Sequence, residues 1–326
     1  MRTYIKGTNN LFRCQTKGWC KSLKPKVFLE FVEIKSLIAS VLPFVLGSMY
    51  AYYNYHKLHL GYLLLFFIAS SLFHMATNAN DNYQDFLHAP RNDDNQEFLQ
   101  ETNVVGVNQI SIGQARTITF GLAGISLIIG LWLVTQTGLP LLWMGLYSYA
   151  VGYFYAGGPK PISQGPFGEF FSGFTMGFMI FWIAVFINTY DTAAITWQST
   201  LAVLIASGLA IFAISNIMLA NNICDMDEDI ALGRHTILYY LGKPVMLQVF
   251  AWSYVAGYAC LVIAVLMGVL PKFSLLTLLS IIPVWKNTRV FLHKQVKRET
   301  FTISIKNATL ICLSFIVFMG LGLIFN

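Results

Sequence analysis

The chain has 326 residues, 56% of them hydrophobic and only 11% charged, with a mean hydropathy of +0.60 and a formal net charge of +6. A soluble globular chain carries about 25% charged residues, so a pair of water-soluble domains is excluded and lipid is the expected solvent. The five cysteines (Cys14, Cys20, Cys224, Cys260 and Cys312) are odd in number and scattered, which excludes a disulfide framework or a spaced cysteine metal site.

Residues 1–32 are basic and interrupted by polar residues, without the apolar core of a signal peptide. They read as a cytoplasmic tail that ends in an interfacial segment from Lys24 to Phe31. Residues 33–326 read as one all-α integral membrane domain. Crossing a bilayer takes about 20 apolar residues, and nine such stretches occur, near 34–54, 60–80, 114–135, 138–156, 170–189, 198–221, 245–268, 271–292 and 303–325. Pro43 in the first and Pro283 in the eighth are tolerated in membrane helices.

With nine crossings, one side receives the N-terminal tail and the loops after the even-numbered spans. Of the 21 Lys and Arg residues, 19 fall on that side, and only Lys57 and Lys272 on the other. Basic residues are retained in the cytoplasm. The N-terminus is therefore expected inside the cell membrane and the C-terminus outside. The excess positive charge serves orientation and contact with anionic lipid; it requires no nucleic acid.

Ten of the 15 carboxylates fall in two stretches. One runs from Asn78 through Asp81, Asn82, Tyr83 and Asp85 to Arg91, Asp93, Asp94, Glu97 and Glu101; the other runs from Asn221 and Asn222 through Asp225, Asp227, Glu228 and Asp229 to Arg234. Both contain N-x-x-D-x-x-x-D, as Asn78, Asp81, Asp85 and as Asn222, Asp225, Asp229, with a constant offset of 144 residues. On a helix, residues i and i+4 share a face. Each Asp pair is thus a like-charge pair that destabilises its helix unless a cation sits between the carboxylates. Mg²⁺ takes one or two carboxylates, waters and substrate phosphate oxygens. Two facing pairs would hold two Mg²⁺ ions around a diphosphate, with Asn78 and Asn222 adding amide oxygens or orienting waters. A lone acidic cluster would be a solvated loop. Two matched copies, each closing an even-numbered span, point to function.

A cation-coupled transporter is the rival from another class, because intramembrane acids mark transport pathways. Transport sites lie near the midplane, whereas these acids sit at span ends and no charged residue lies mid-span. The arrangement suits a polar head held at the surface with an apolar tail in the membrane, the shape of a prenyl diphosphate.

At these residues the chain resembles the UbiA superfamily of intramembrane aromatic prenyltransferases, along nearly its whole length. The segment Tyr153-Phe154-Tyr155-Ala156-Gly157-Gly158-Pro159-Lys160-Pro161, then Gly165 to Gly168-Glu169, is similar to that of 1,4-dihydroxy-2-naphthoate polyprenyltransferases, the menaquinone branch. So is Asn221-Asn222 through Asp225 and Asp229 to Gly233-Arg234-His235-Thr236. The first motif departs from the branch in its order, Asp81-Asn82-Tyr83, and Ala89 stands where a third Asp is frequent. The resemblance implies a nine-helix UbiA-type fold and Mg²⁺-dependent transfer of a polyprenyl chain from its diphosphate to 1,4-dihydroxy-2-naphthoate, giving demethylmenaquinone. Other aromatic quinone precursors, such as 4-hydroxybenzoate, stay open as acceptors. Asp81, Asp85, Asp225 and Asp229 would hold metal; Lys160, Arg234 and, more weakly, Arg91 and Lys35 would bind diphosphate. Tyr155 would face the allylic cation through its ring. His74, His88 and His235 leave the base unassigned.

The topology has a direct check. A reporter fused after Asn326 should be extracytoplasmic and one inserted near Asn95 cytoplasmic; both on one side would remove the nine-span reading.

Overall fold

The computed structural model describes residues 23–88 and 103–325, among which every regular element is helical. A short helix, α1 (Pro25–Phe31), precedes nine long ones. These are α2 (Ile38–Tyr55), α3 (Leu60–His88), α4 (Ile112–Thr137), α5 (Leu139–Ala156), α6 (Gly168–Thr189), α7 (Trp197–Ala231), α8 (Ile237–Leu266), α9 (Lys272–His293) and α10 (Thr302–Phe325). All but α5 are long and apolar enough to cross a membrane, a count of 8 among the described residues. The 18-residue α5 carries Tyr147, Tyr149, Tyr153 and Tyr155, which lower its hydropathy without breaking the helix. The chain is a multi-pass membrane protein.

The helices outrun the apolar stretches that announce them. α3 continues past residue 80 to His88 and α7 past residue 221 to Ala231, so both acidic motifs lie on unbroken helix rather than in loops. α8 is interrupted by Gly242 (φ 76°) and Pro244, which explains why its apolar stretch begins near residue 245. Pro43 is accommodated inside α2. The interfacial segment is α1, whose Phe31, with Val32, packs against Ala79 and Tyr83 of α3. Tyr83 is therefore a core residue.

The most buried helix of the bundle is α6, with α7 next to it. α7 packs on α6, α8 and α10, while α3 packs on α4 and α5. α3 and α7 share no extended seam among the described residues; a cavity separates them. α6 holds its place against α7 through two glycines four residues apart. A Cβ on Gly173 would collide with Ser215 Oγ and meet the Ile211 carbonyl at 2.7 Å, and one on Gly177 would meet Ile211 Cα at 2.6 Å. Small residues let membrane helices approach in this way, where dispersion replaces the hydrophobic effect as the cohesive force. Both glycines lie in a π-helical stretch, Gly173–Met179, in the middle of α6.

Replacing Gly177 by Leu should therefore drive α6 off α7 and destabilise the protein by about 1–3 kcal/mol or more. Gly61→Leu, where a Cβ meets nothing within 4 Å, is the control. Thermal unfolding in detergent distinguishes them, and equal melting temperatures would contradict the packing account.

Candidate functional site

The C-terminal ends of α3 and α7 meet through one side chain. Arg234 Nη2 lies 2.7 Å from Asp85 Oδ1, and Nη1 lies 3.4 Å from Asp229 Oδ1. The guanidinium thus joins the two motifs across 149 residues of sequence. A helix terminus puts it there. α7 ends in a Schellman turn in which the Gly233 N–H donates to the Ile230 carbonyl and the Arg234 N–H to the Asp229 carbonyl, at 3.0 and 2.8 Å. Gly233 adopts φ 74°, which glycine reaches without the strain a Cβ brings. The next residue, His235, donates its N–H to the Gln164 carbonyl, tying this turn to the loop after α5. Burial disfavours the charge on Arg234, but the Asp85, Asp229 and Asp81 carboxylates outweigh that cost and raise its pKa.

Asp225 has its own cation. Lys297, from the segment between α9 and α10, donates to Asp225 Oδ2 and Asn221 Oδ1, while Asn221 Nδ2 donates to Asp225 at 3.2 Å. Lys297 also stands 5.0 Å from the Phe301 ring. Sequence reasoning missed this lysine, because the basic segment that carries it serves as an orientation signal. It also missed the partner of Asn222, whose Nδ2 donates to Glu169 Oε1 at 2.8 Å. The glutamate was visible as the end of the glycine-rich segment, but nothing in the spacing joins it to Asn222. Asn78 donates to the Val32 carbonyl at 3.1 Å and to Ser36 Oγ at 2.7 Å, tethering α3 to the chain before α2.

The remaining candidates divide clearly. Asp227 and Glu228 are exposed and point off the shared face, as the helical spacing requires, whereas Asp229 is only 5% exposed. Lys160 is exposed and makes no hydrogen bond or ion pair with a described residue. Arg91, with Ala89, Asp93, Asp94, Glu97 and Glu101, lies outside the described residues.

A cavity of about 1430 Å³ opens beside this cluster. Asn78, Asp81 and Asn221 line its polar end, and Tyr155 and Tyr149 its middle wall. Phe66, Leu133, Leu141 and Ile183 also line it, far along their helices. Asp81 and Phe66 are 15 residues apart on α3, so at ~1.5 Å per residue the cavity extends for roughly 22 Å. The Tyr155 hydroxyl is buried and has no hydrogen-bond partner among the described residues.

The donor set suits a divalent cation. Asp81 lines the cavity and makes no hydrogen bond or ion pair with a described residue, yet Asp85 is one helical turn away. Among the described residues no three Asp, Glu, His or Cys groups converge on one point. The carboxylates form two pairs, an arrangement for hard cations that keep waters and bind phosphate oxygens.

The model of the UbiA prenyltransferase family matches residues 40–322. The 1,4-dihydroxy-2-naphthoate octaprenyltransferase of Bacillus subtilis (strain 168) is 30% identical over 259 residues, covering 78% of this chain and 79% of that protein. The fold is similar to the apo structure of a UbiA homolog from Aeropyrum pernix K1, with a TM-score of 0.65 at 20% identity over 89% of this chain and 98% of the other. It is also similar to a UbiA homolog from Archaeoglobus fulgidus bound to DMAPP and Mg²⁺, with a TM-score of 0.59 at 12% identity over 90% and 99%.

The Arg234 bridge generates a thermodynamic test. Arg234→Ala strips the partly buried Asp85 and the buried Asp229 of their counterion and should cost about 3 kcal/mol without Mg²⁺. Adding Asp85→Asn should recover part of that loss, giving a coupling of about 0.5–3 kcal/mol. Strictly additive melting data in Mg²⁺-free detergent would mean the bridge carries no energy.

Proposed function

The chain belongs to the UbiA prenyltransferase family, and we propose that it transfers a polyprenyl chain from an allylic diphosphate to 1,4-dihydroxy-2-naphthoate, yielding demethylmenaquinol (the reduced form of demethylmenaquinone), diphosphate and CO₂. The observation that carries the reaction class is the pair of carboxylate motifs at the polar end of a deep apolar cavity. The acceptor rests on the naphthoate-prenylating relative at 30% identity.

Each part of the site has a task in this reaction. Asp81 and Asp85, with Asp225 and Asp229, would hold two Mg²⁺ ions. When bound, magnesium offsets the negative charge that gathers on the departing diphosphate. Arg234 and Lys297 add fixed positive charge in the same place, and Lys160, on the segment after α5, would add to it. Asn78 and Asn222 orient the first turn of each motif through Ser36 and Glu169. The Tyr155 ring offers an electron-rich face to the allylic cation, and its unpartnered hydroxyl offers a hydrogen bond to substrate. The apolar remainder of the cavity holds the isoprenoid tail and keeps water from the cation. The charge distribution supports a cell-membrane enzyme with the acidic cluster and residues 1–32 in the cytoplasm.

Membranes incubated with labelled polyprenyl diphosphate, Mg²⁺ and a panel including 1,4-dihydroxy-2-naphthoate and 4-hydroxybenzoate should yield a prenylated naphthoquinol by mass spectrometry. Product in excess chelator would contradict the metal role, and product from 4-hydroxybenzoate alone would contradict the acceptor. Single Asp→Asn changes at 81, 85, 225 or 229 should each lower kcat about 100-fold or more. Combining them across motifs should add little, because they act as one unit. Asp227→Asn and Glu228→Gln should stay within about threefold of the parent, as surface changes do.

A further inference from the structure

The cavity wall contains two glycines whose missing side chains nothing else replaces. Gly130 on α4 and Gly145 on α5 both line it, and a Cβ on either would meet nothing within 4 Å. Residues three and four apart share one face of a helix. Around Gly130, the residues at those places (Ser126, Leu127, Leu133 and Val134) all line the cavity. The same four places around Gly145, from Leu141 to Tyr149, do so too. Each glycine therefore stands in the middle of a cavity-facing stripe, and a side chain there would enter the cavity. The two are level with each other, since Gly130 lies eight residues before the Gly138 that joins the helices and Gly145 seven after it. Gly152, further along the α5 stripe, differs. Its Cβ would collide with the Phe73 ring at 2.6 Å, so that glycine serves packing.

The gap left by the two glycines is closed off along the helices in both directions. Toward the polar end, the Tyr149 hydroxyl donates to Ser126 Oγ and the Ser126 hydroxyl to the Ala69 carbonyl, both at 2.7 Å, which ties α5 to α4 and α3. Toward Gly138, Leu133, Leu141 and Met144 are buried where the hairpin closes. Between these two closures, Leu127, Leu131 and Leu146 line the cavity while remaining 44%, 46% and 51% exposed. A leucine that belongs both to a cavity wall and to the outer surface marks a rim. The cavity therefore opens between α4 and α5 onto the apolar outside of the bundle, beside the exposed Ile128 and Trp143.

We propose that Gly130 and Gly145 determine how long an isoprenoid chain the protein accepts, because the chain passes between them and leaves for the bilayer through the α4–α5 opening. This rests on the prenyl transfer argued above and adds the feature that selects the donor. Gly145 is ten residues from Tyr155 on α5, a distance of about 15 Å along the helix. An extended chain advances about 3.5 Å per three bonds, so an isoprene unit, which has four, adds roughly 4.7 Å. A tail of three units thus ends at the glycines, and every longer tail has to pass them. The volume inside the bundle then sets no upper limit on length. Further units lie in lipid, which is as apolar as the leucines of the rim.

The test uses the full chain in lipid nanodiscs with Mg²⁺, 1,4-dihydroxy-2-naphthoate and geranyl, farnesyl or octaprenyl diphosphate. The parent should use the octaprenyl donor within about threefold of the farnesyl donor in kcat/KM. Gly130→Leu and Gly145→Leu should lower kcat/KM for the octaprenyl donor about tenfold or more and leave the geranyl donor within about threefold. Gly145→Ala should give a smaller loss in the same direction, and it keeps the fold because helix interiors favour alanine over glycine. A parent that rejects the octaprenyl donor, or variants whose losses are absent or equal for all three donors, would overturn the assignment. The protection that each diphosphate with Mg²⁺ gives against thermal unfolding reads the same selectivity without an acceptor. If the naphthoate is not prenylated, the acceptor reading falls, and this binding series decides on the glycines.

Discussion

Negative charge is concentrated where a helix tolerates it least. Four carboxylates stand on the last two turns of α3 and α7, and Asp85 and Asp229, in the final turns, face peptide dipoles that already present negative charge, at about 0.3–1 kcal/mol each. Their spacing adds repulsion within each pair. The fold answers with cations that arrive from outside both helices. Arg234 is carried there by the turn that ends α7, and Lys297 by the segment that opens α10. The surrounding loops are organised around that compensation, down to the left-handed glycine that aims Arg234. A site so arranged keeps its acids close together, with Arg234 and Lys297 offsetting their mutual repulsion.

The second organising element is the change in polarity along the cavity. At one end Asn78 and Ser36 are hydrogen-bonded to each other near Asp81; at the other, leucine, isoleucine and phenylalanine leave nothing to hydrate a charge. A substrate with a trianionic head and a hydrocarbon tail can lie there in only one direction. In the proposed reaction the reacting carbon would fall at the junction, beside Tyr155. Direction and protection from water thus come from one gradient rather than from separate devices.

Much of this was legible in the amino-acid sequence, and the exceptions share a cause. The apolar stretches announced nearly every helix, since lipid imposes a length and a composition on any segment that crosses it. The spacing of Asp81 with Asp85 and of Asp225 with Asp229 announced two shared faces, and the exposure of Asp227 and Glu228 follows from the same geometry. Local periodicity reports on one helix at a time. It says nothing about Lys297 reaching Asp225 across 72 residues, or about Glu169 meeting Asn222. Helix ends were also underestimated, because hydropathy falls where the acids begin while the backbone hydrogen bonds of α3 and α7 continue. His74 meets Ser36 of the short 3₁₀ turn Ile34–Leu37 and Ser40 of α2, contacts that no motif announces.

The π-helical stretch of α6 has a consequence beyond the close approach of its glycines. A wide turn holds one residue more than an α-turn, and one residue is worth about 100° of rotation. Everything beyond Met179 is therefore clocked around the helix axis relative to what precedes Gly173. Below the stretch, Glu169 faces Asn222; above it, the backbone of Phe181 meets Gly47 of α2. A regular helix could satisfy one of these partners and would turn its other half away. The stretch is a phase coupling that lets a single rod serve the chemistry at one end and the assembly of the bundle at the other.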